Sequence, residues 1–493
     1  MGSGFSRERL AFNLGPETVP GRGRIEAAIR DSEPTFATAE YAEPRDWGYV
    51  GLLAFTAVML LRPQDTFQAL TSVHVAEICA IIGIGPMLLH RFVRRLPVFR
   101  VTPETTGLAL FGAIIVATAP FSIWPGGAIG VFTDSYLKML VVFVLMMNTL
   151  TTPKRLDQIT WLILLCIGYV AARGVFDYAR GVNLVEGGRL SGATAGIFGN
   201  PNDLAMNMVT FLPVGVVYAL AARNATWRRG VAAFIVVLML ATIVFTKSRG
   251  GIIGLAVMLL VLLVLGNKVR RGFTAMTLGA IVLAMPFVPS SYWSRMNTIF
   301  DERADRMSYT GSRESRLNVM REGYEAFVEQ PFTGVGAGQF KNYNPHGRKE
   351  KWRETHNALL QAASETGIFG LLAFSFLIVR AAMAGMATRR MLKHRRRSRG
   401  PDPLDVAFSE DEYRSLYAHS VAMTAGLAGW FACAMFASVA YSWTFYYLLA
   451  LTVAARELTR DRLSLASAPP RPVVVRSSAG TTQGFGQLAH GVN

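Results

Sequence analysis

This chain is short of charge. Only 17% of its 493 residues are Asp, Glu, Lys or Arg, while 51% are hydrophobic. A soluble globular chain carries about 25% charged residues. That shortfall, with a mean hydropathy of +0.31, excludes an ordinary water-soluble domain. Cysteine is scarce as well. Cys79, Cys166 and Cys433 each sit inside an apolar run, with no CxxC spacing and no clustered histidine. Neither a disulfide framework nor a zinc site is implied. No cleavable secretion signal opens the chain, and no internal repeat is visible. The net charge of +17 is spread between apolar runs, which argues against nucleic acid as a partner. Membrane topology accounts for it instead, because Lys and Arg collect on cytoplasmic loops.

What the chain has is apolar length. A helix crosses a bilayer with about 20 apolar residues. Runs near that length occur at 47–62, 74–92, 105–123, 131–150, 156–176, 201–222, 229–246, 250–266, 272–289, 357–385, 416–437 and 441–456. They predict an all-α polytopic membrane protein of about twelve transmembrane helices, nine within 47–289 and three within 356–456. Residues 1–46 and 457–493 read as flexible or disordered cytoplasmic tails. With the N-terminus inside, every even-numbered span exits into a basic segment. These segments hold Arg91, Arg94, Arg95 and Arg100; Lys154 and Arg155; Arg223, Arg228 and Arg229; Lys268, Arg270 and Arg271; and the loop 386–415 with its basic run from Arg389 to Arg399. That run reads either as a grip on anionic lipid head groups or as a plain cytoplasmic stop.

Two outward connections are long, 177–199 and 290–355. In the second, Leu317, Met320, Tyr324, Phe327 and Val328 recur at helical spacing among Arg316, Arg321, Glu322 and Glu325. This predicts an amphipathic helix ended by Pro331, lying on the membrane surface or packed on the bundle.

The alternation brings three polar clusters to the outer face. The first is Arg189 with Gly199-Asn200-Pro201-Asn202-Asp203. Asn200 reads as an N-cap and Pro201 as the first helical residue. Such a helix start also offers backbone N–H groups to an anion, partly opposed by Asp203. The second is Thr246-Lys247-Ser248-Arg249-Gly250-Gly251, where two spans meet with almost no loop. Its cations either snorkel to the surface or, with glycines allowing a sharp reversal, hold Arg249 at a fixed depth. A fixed guanidinium suits bidentate phosphate binding. The third runs from His356-Asn357 into the tenth span. An interfacial imidazole can serve as a base. Glu365, inside that span, is either functional or paired with a neighbouring helix. The preceding stretch from Pro331 to Phe340 is no Walker loop, since no Lys-Ser/Thr follows. It reads as a tight glycine turn folding the loop back on the bundle. Arg189, Arg249 and His356 together suggest two cations for an anion and one base. A phosphate-bearing, membrane-held donor requires that set, without metal or nucleotide.

These residues resemble the O-antigen ligase and polymerase superfamily of bacterial envelopes, across about 50–450. The sharpest element is His356-Asn357, nine residues, Gly367, two residues, Gly370. The Ser248-Arg249-Gly250 corner, the Asn200 helix start and the glycine stretch support it. Arg313 and Leu317 fit the Arg-x-x-x-Leu pattern of the large outer loop, with Arg316 as the alternative register. Arg62-Pro63-Gln64-Asp65 looks like the exosortase- and exopolysaccharide-associated branch. The resemblance implies a membrane-embedded glycosyltransferase, without metal or cofactor, in the bacterial inner membrane. Both termini would be cytoplasmic and the active site periplasmic. It would pass glycan from an undecaprenyl-diphosphate carrier to lipid A-core of lipopolysaccharide, to a growing glycan or to protein. His356 would deprotonate the acceptor; Arg189 and Arg249 would hold the diphosphate; Lys247, Ser248, Asn200, Asn202, Asn357, Glu365, Arg313 and Arg316 would support them. A polysaccharide polymerase with the same chemistry is the alternative. A transporter of polysaccharide or lipid-linked glycan is the rival from another class, although no repeat is visible and the polar residues cluster at one face.

Overall fold

In a computed structural model, residues 46–70, 73–95, 97, 99–185, 188–193, 196–220, 225–265, 313–344, 347, 354–393 and 407–467 are described. The expected span 272–289, both distal tails, and the parts 290–312 and 394–406 of the two large loops lie outside them.

Helices dominate. They are α1 (Trp47–Leu61), α2 (Val75–Val93), α3 (Pro103–Thr118) and α4 (Pro125–Thr149). Then come α5 (Pro153–Ala179), α6 (Pro201–Leu220), α7 (Thr226–Thr246) and α8 (Arg249–Leu265). The last are α9 (Arg313–Glu329), α10 (Ala358–Lys393), α11 (Glu410–Ala434) and α12 (Trp443–Ala466). A two-stranded antiparallel ribbon pairs β1 (Leu184–Val185) with β2 (Arg189–Leu190), Val185 opposite Arg189.

The helix starts follow from local chemistry. Thr102 caps α3 through the Thr105 N–H, and Thr152 caps α5 through the Arg155 N–H, each followed by proline at the first helical position. Ser409 and Glu412 form a reciprocal capping box at α11. This cap moves the start of α11 back to Glu410 from the expected 416.

Seven helices among the described residues are long and apolar enough to cross a membrane. The other expected spans among the described residues fall short in length, as α1 and α8 do, or in apolar character, as the 25-residue α11 and 24-residue α12 do. Helix α1 has 15 residues and stops where Arg62 turns left-handed before Pro63, its guanidinium 2.6 Å from Asp65. Helix α8 has 17 residues. The centre of the bundle is α6, buried along nearly its whole length against α7, α8 and α11, as expected of a helix apolar on every side. Helix α2 is peripheral and turns most of its apolar surface outward.

Two boundaries differ from expectation at the same end of the bundle. Helix α12 runs to Ala466, ten residues past 456, so 457–466 is not a disordered tail. An ion network holds it. Arg456 grips Glu104 through two hydrogen bonds of 2.8 Å. Arg380 of α10 reaches Glu104 at 2.7 Å, and Arg100 reaches Glu457 and Asp461 at 2.6 Å each. Helix α10 likewise continues to Lys393, taking the first residues of the expected basic loop into its last turns.

Candidate active site at one end of the bundle

The opposite end collects the expected polar clusters. Asn200 caps α6, its side-chain oxygen accepting the N–H groups of Asn202 and Asp203 at 2.9 Å each. Ser248 caps α8, its Oγ accepting from the Gly251 N–H, which leaves Arg249 as the first helical residue. The sharp reversal between α7 and α8 is made by Lys247 in the left-handed region (φ 48) and not by the glycines. Gly251 instead lets α8 approach α6, since a Cβ there would lie 2.7 Å from Ala205.

Asn202 ties the first two clusters together. Its Oδ1 accepts from Ser248 Oγ at 2.9 Å and from Arg189 Nη2 at 2.8 Å. Arg189 is buried and also donates through Nε to the Thr246 carbonyl at 3.1 Å. Arg189, expected to hold the diphosphate, is thus an internal brace, joining the β-ribbon to the reversal. A small cleft of about 10 Å³, room for about one water, lies beside it, lined by Asn202, Ser248, Arg249, Arg316 and residues of α11 and its following turn. Arg189 does not line it. Arg316, from α9 of the outer loop, does. The side chain of Arg313 lies outside the described residues.

His356 precedes α10 with φ 51, a left-handed conformation unusual for a residue with a side chain. Sequence reasoning missed the residue that secures it. Ser438, in the turn between α11 and α12, accepts the His356 N–H at 3.0 Å and contacts Thr355 Oγ1 at 2.9 Å. No motif marks Ser438; only the fold brings it 82 residues back to His356. Asn357 caps α10 by accepting from the N–H groups of Leu359 and Leu360 at 3.0 Å each. Burial, and secondarily the nearby Arg316 charge, push the imidazole down from 6.5 to about 4. His356 is therefore neutral at pH 7, with a ring nitrogen able to accept a proton. Arg316 is the bridge between the base and the cleft.

Glu365 is not at the cleft. It is buried, and its carboxylate accepts from the Gly338 N–H at 2.8 Å and the Phe340 N–H at 3.4 Å. Its partner is the glycine stretch, not a neighbouring helix. That stretch folds back on the bundle as anticipated. Helix α10 breaks at Gly367 (φ 67, ψ −167), which frees the carbonyls of Ser364 and Glu365. Val335 and Gly336 donate to them at 2.8 and 2.9 Å, and Ile368 donates to the Pro331 carbonyl at 2.8 Å. A Cβ on Gly367 would lie 2.4 Å from the Phe332 backbone, and one on Gly334 2.4 Å from that of Glu365. Gly367 is thus required by two backbones in contact, whereas a Cβ on Gly370 would meet the Thr366 side chain of the same helix.

Helix α9 forms where expected, but a different face is buried. Val319, Glu322, Gly323 and Ala326 pack inward, with Gly323 close to Leu360 and Thr355, while Leu317, Tyr324 and Val328 remain exposed. Among the described residues no group of three His, Cys, Asp or Glu side chains has the arrangement to hold a metal ion.

Residues 234–375 match a family model described as O-antigen ligase. This segment, under a third of the chain, contains Arg249, Arg316, His356 and the α10 break, and the match supports the resemblance to the O-antigen ligase superfamily. No curated protein matches the chain.

Proposed function

We propose that this protein is a glycosyltransferase of the ligase type, moving glycan from an undecaprenyl-diphosphate carrier to an acceptor hydroxyl at the periplasmic face of the inner membrane. The observation that carries the reading is the placement of Arg249 and Arg316 in one cleft, with the neutral His356 beside Arg316. The acceptor hydroxyl gives its proton to His356. Its oxygen bonds to the anomeric carbon, and the bond from that carbon to the diphosphate oxygen breaks. The departing diphosphate gains negative charge next to two guanidinium groups, which stabilise it as charge develops. Arg189 acts behind them by fixing Asn202 and the α7–α8 reversal. A diphosphate held at the mouth of the cleft by Arg249 and Arg316 offsets the Arg316 charge and raises the basicity of His356 toward neutral pH.

The acceptor separates a ligase from a polymerase of the same chemistry, and both use this site. The test is the glycan profile of a deletion strain complemented with wild type, His356→Ala or Arg249→Ala. Long glycan stranded on the carrier and cleared only by wild type supports the ligase. Single repeats identify a polymerase. Full complementation by both variants at normal protein level rejects the site. Glycan transfer by purified protein in detergent, where no compartments exist, separates an enzyme from a transporter.

A further inference from the structure

Helix α9 carries two apolar faces. The inward face packs on the start of α10, and Val319 and Ala326 join Val335, Phe340 and Tyr343 in a small core of their own. On the opposite face, Leu317, Tyr324 and Val328 stand seven and eleven residues along from the first, which places them within about 20° of one line on a helix. Each is more than half exposed, as is Phe332 just beyond the helix. The inward face already anchors α9, so the outer stripe is not needed to hold the helix on the bundle.

The stripe does not end in isolation. The Phe332 ring lies 6.2 Å from that of Phe369. Phe369 heads an exposed row on α10 that continues through Leu372, Phe376, Val379 and Met383. Helix α10 is long and apolar enough to cross a membrane, so this row is the surface it offers to lipid. The α9 stripe therefore extends a lipid-facing surface past the end of a span. Arg321 lies between Leu317 and Tyr324, exposed and 3.7 Å from Glu325, where a long cationic side chain can reach back to head groups while its stem stays in apolar surroundings.

We infer that the outer face of α9, through Leu317, Tyr324, Val328 and Phe332, is seated in the bilayer leaflet on the site's side. It is an in-plane amphipathic helix anchored on its second face by the bundle. Seating has a consequence for the cleft. Arg316 is the neighbour of Leu317, so the depth of the stripe sets the height of a cleft guanidinium relative to the head groups. That consequence rests on the proposed function; the seating itself does not.

The test places a nitroxide label at single introduced cysteines, Leu317→Cys, Val328→Cys and Lys341→Cys, in the full chain reconstituted in phosphatidylglycerol–phosphatidylethanolamine vesicles. The native cysteines are buried, and unsubstituted protein treated alike must carry no label. Collision with apolar oxygen and with a water-soluble nickel chelate is then compared. The expected result is oxygen access with several-fold weaker nickel access at 317 and 328 than at the exposed 341. Nickel access at 328 equal to that at 341 overturns the proposal, because the face is then in water. Protection from both reagents also overturns it, because protein then covers the stripe. A His356→Ala version carrying the same labels gives the same profile if seating is independent of catalysis, so failure of the functional reading leaves this test intact.

Discussion

The two ends of the bundle use arginine in different ways. At one end, Arg456, Arg380 and Arg100 close on Glu104, Glu457 and Asp461 at 2.6 to 2.8 Å. Glu104 is fully buried and Arg456 nearly so. At the other, Arg249 and Arg316 line a cleft beside a histidine held in a left-handed backbone. Removing one partner of a buried ion pair leaves a charge in low dielectric, so the first arrangement is a structural lock. His356 is held otherwise, in a left-handed backbone secured by the hydrogen bond from its N–H to Ser438. Charge alone does not mark a site; its surroundings do.

The comparison predicts that substitutions at the cleft cost rate and those in the ion network cost stability. His356→Ala should lower glycan transfer by about 10²–10⁴, the range for losing a positioned base, with the melting temperature unchanged. Arg249→Ala should lower kcat by about 10²–10³, as for loss of one group facing developing charge. Glu104→Ala inverts the pattern. Arg456 keeps Glu457 at 2.7 Å but loses two of its hydrogen bonds, and Arg380 loses its partner, so the change should cost about 3 kcal/mol, read as a lowered melting temperature in detergent, while the folded fraction keeps its kcat/KM. A large loss of kcat in well-folded Glu104→Ala protein would break the distinction between the two ends.

Two smaller effects sharpen it. Ser438→Ala removes the acceptor of the His356 N–H, and should lower kcat about tenfold with little change in KM, Ser438→Thr restoring it. A fall in stability without a fall in kcat would make Ser438 structural only. The last is a pH effect. The wild-type kcat/KM should fall with acid through the His356 value of about 4. Arg316 contributes to that depression, so Arg316→Gln should move the acid limb upward, toward 6.5.

Much of the fold was legible because helix starts and apolar length are local. Asn200-Pro201 reads as a helix start that the structure uses, and the glycine turn before His356 was readable as a turn, whereas the Ser409 cap that starts α11 at Glu410 was missed. The end of α12 was not. Glu457 and Asp461 resemble a solvated tail until Arg100, more than 350 residues away, is brought to them. The sequence leaves open, for a related reason, whether α9 lies on the membrane surface or packs on the bundle. Its apolar side chains invite burial, yet Gly323 and Ala326 face inward because α10 approaches closely there. At the site, Arg249 and His356 were visible as motifs, whereas Ser438 and the bracing role of Arg189 depend on hydrogen bonds that no spacing records.

The break at Gly367 bears on how the protein is made. An open carbonyl pair is costly inside lipid, where no water can satisfy it. The chain supplies Val335 and Gly336, the donors, before it supplies Ser364 and Glu365, the acceptors. Synthesis order thus presents the patch before the gap, and α10 can settle into the bilayer with its interruption already matched.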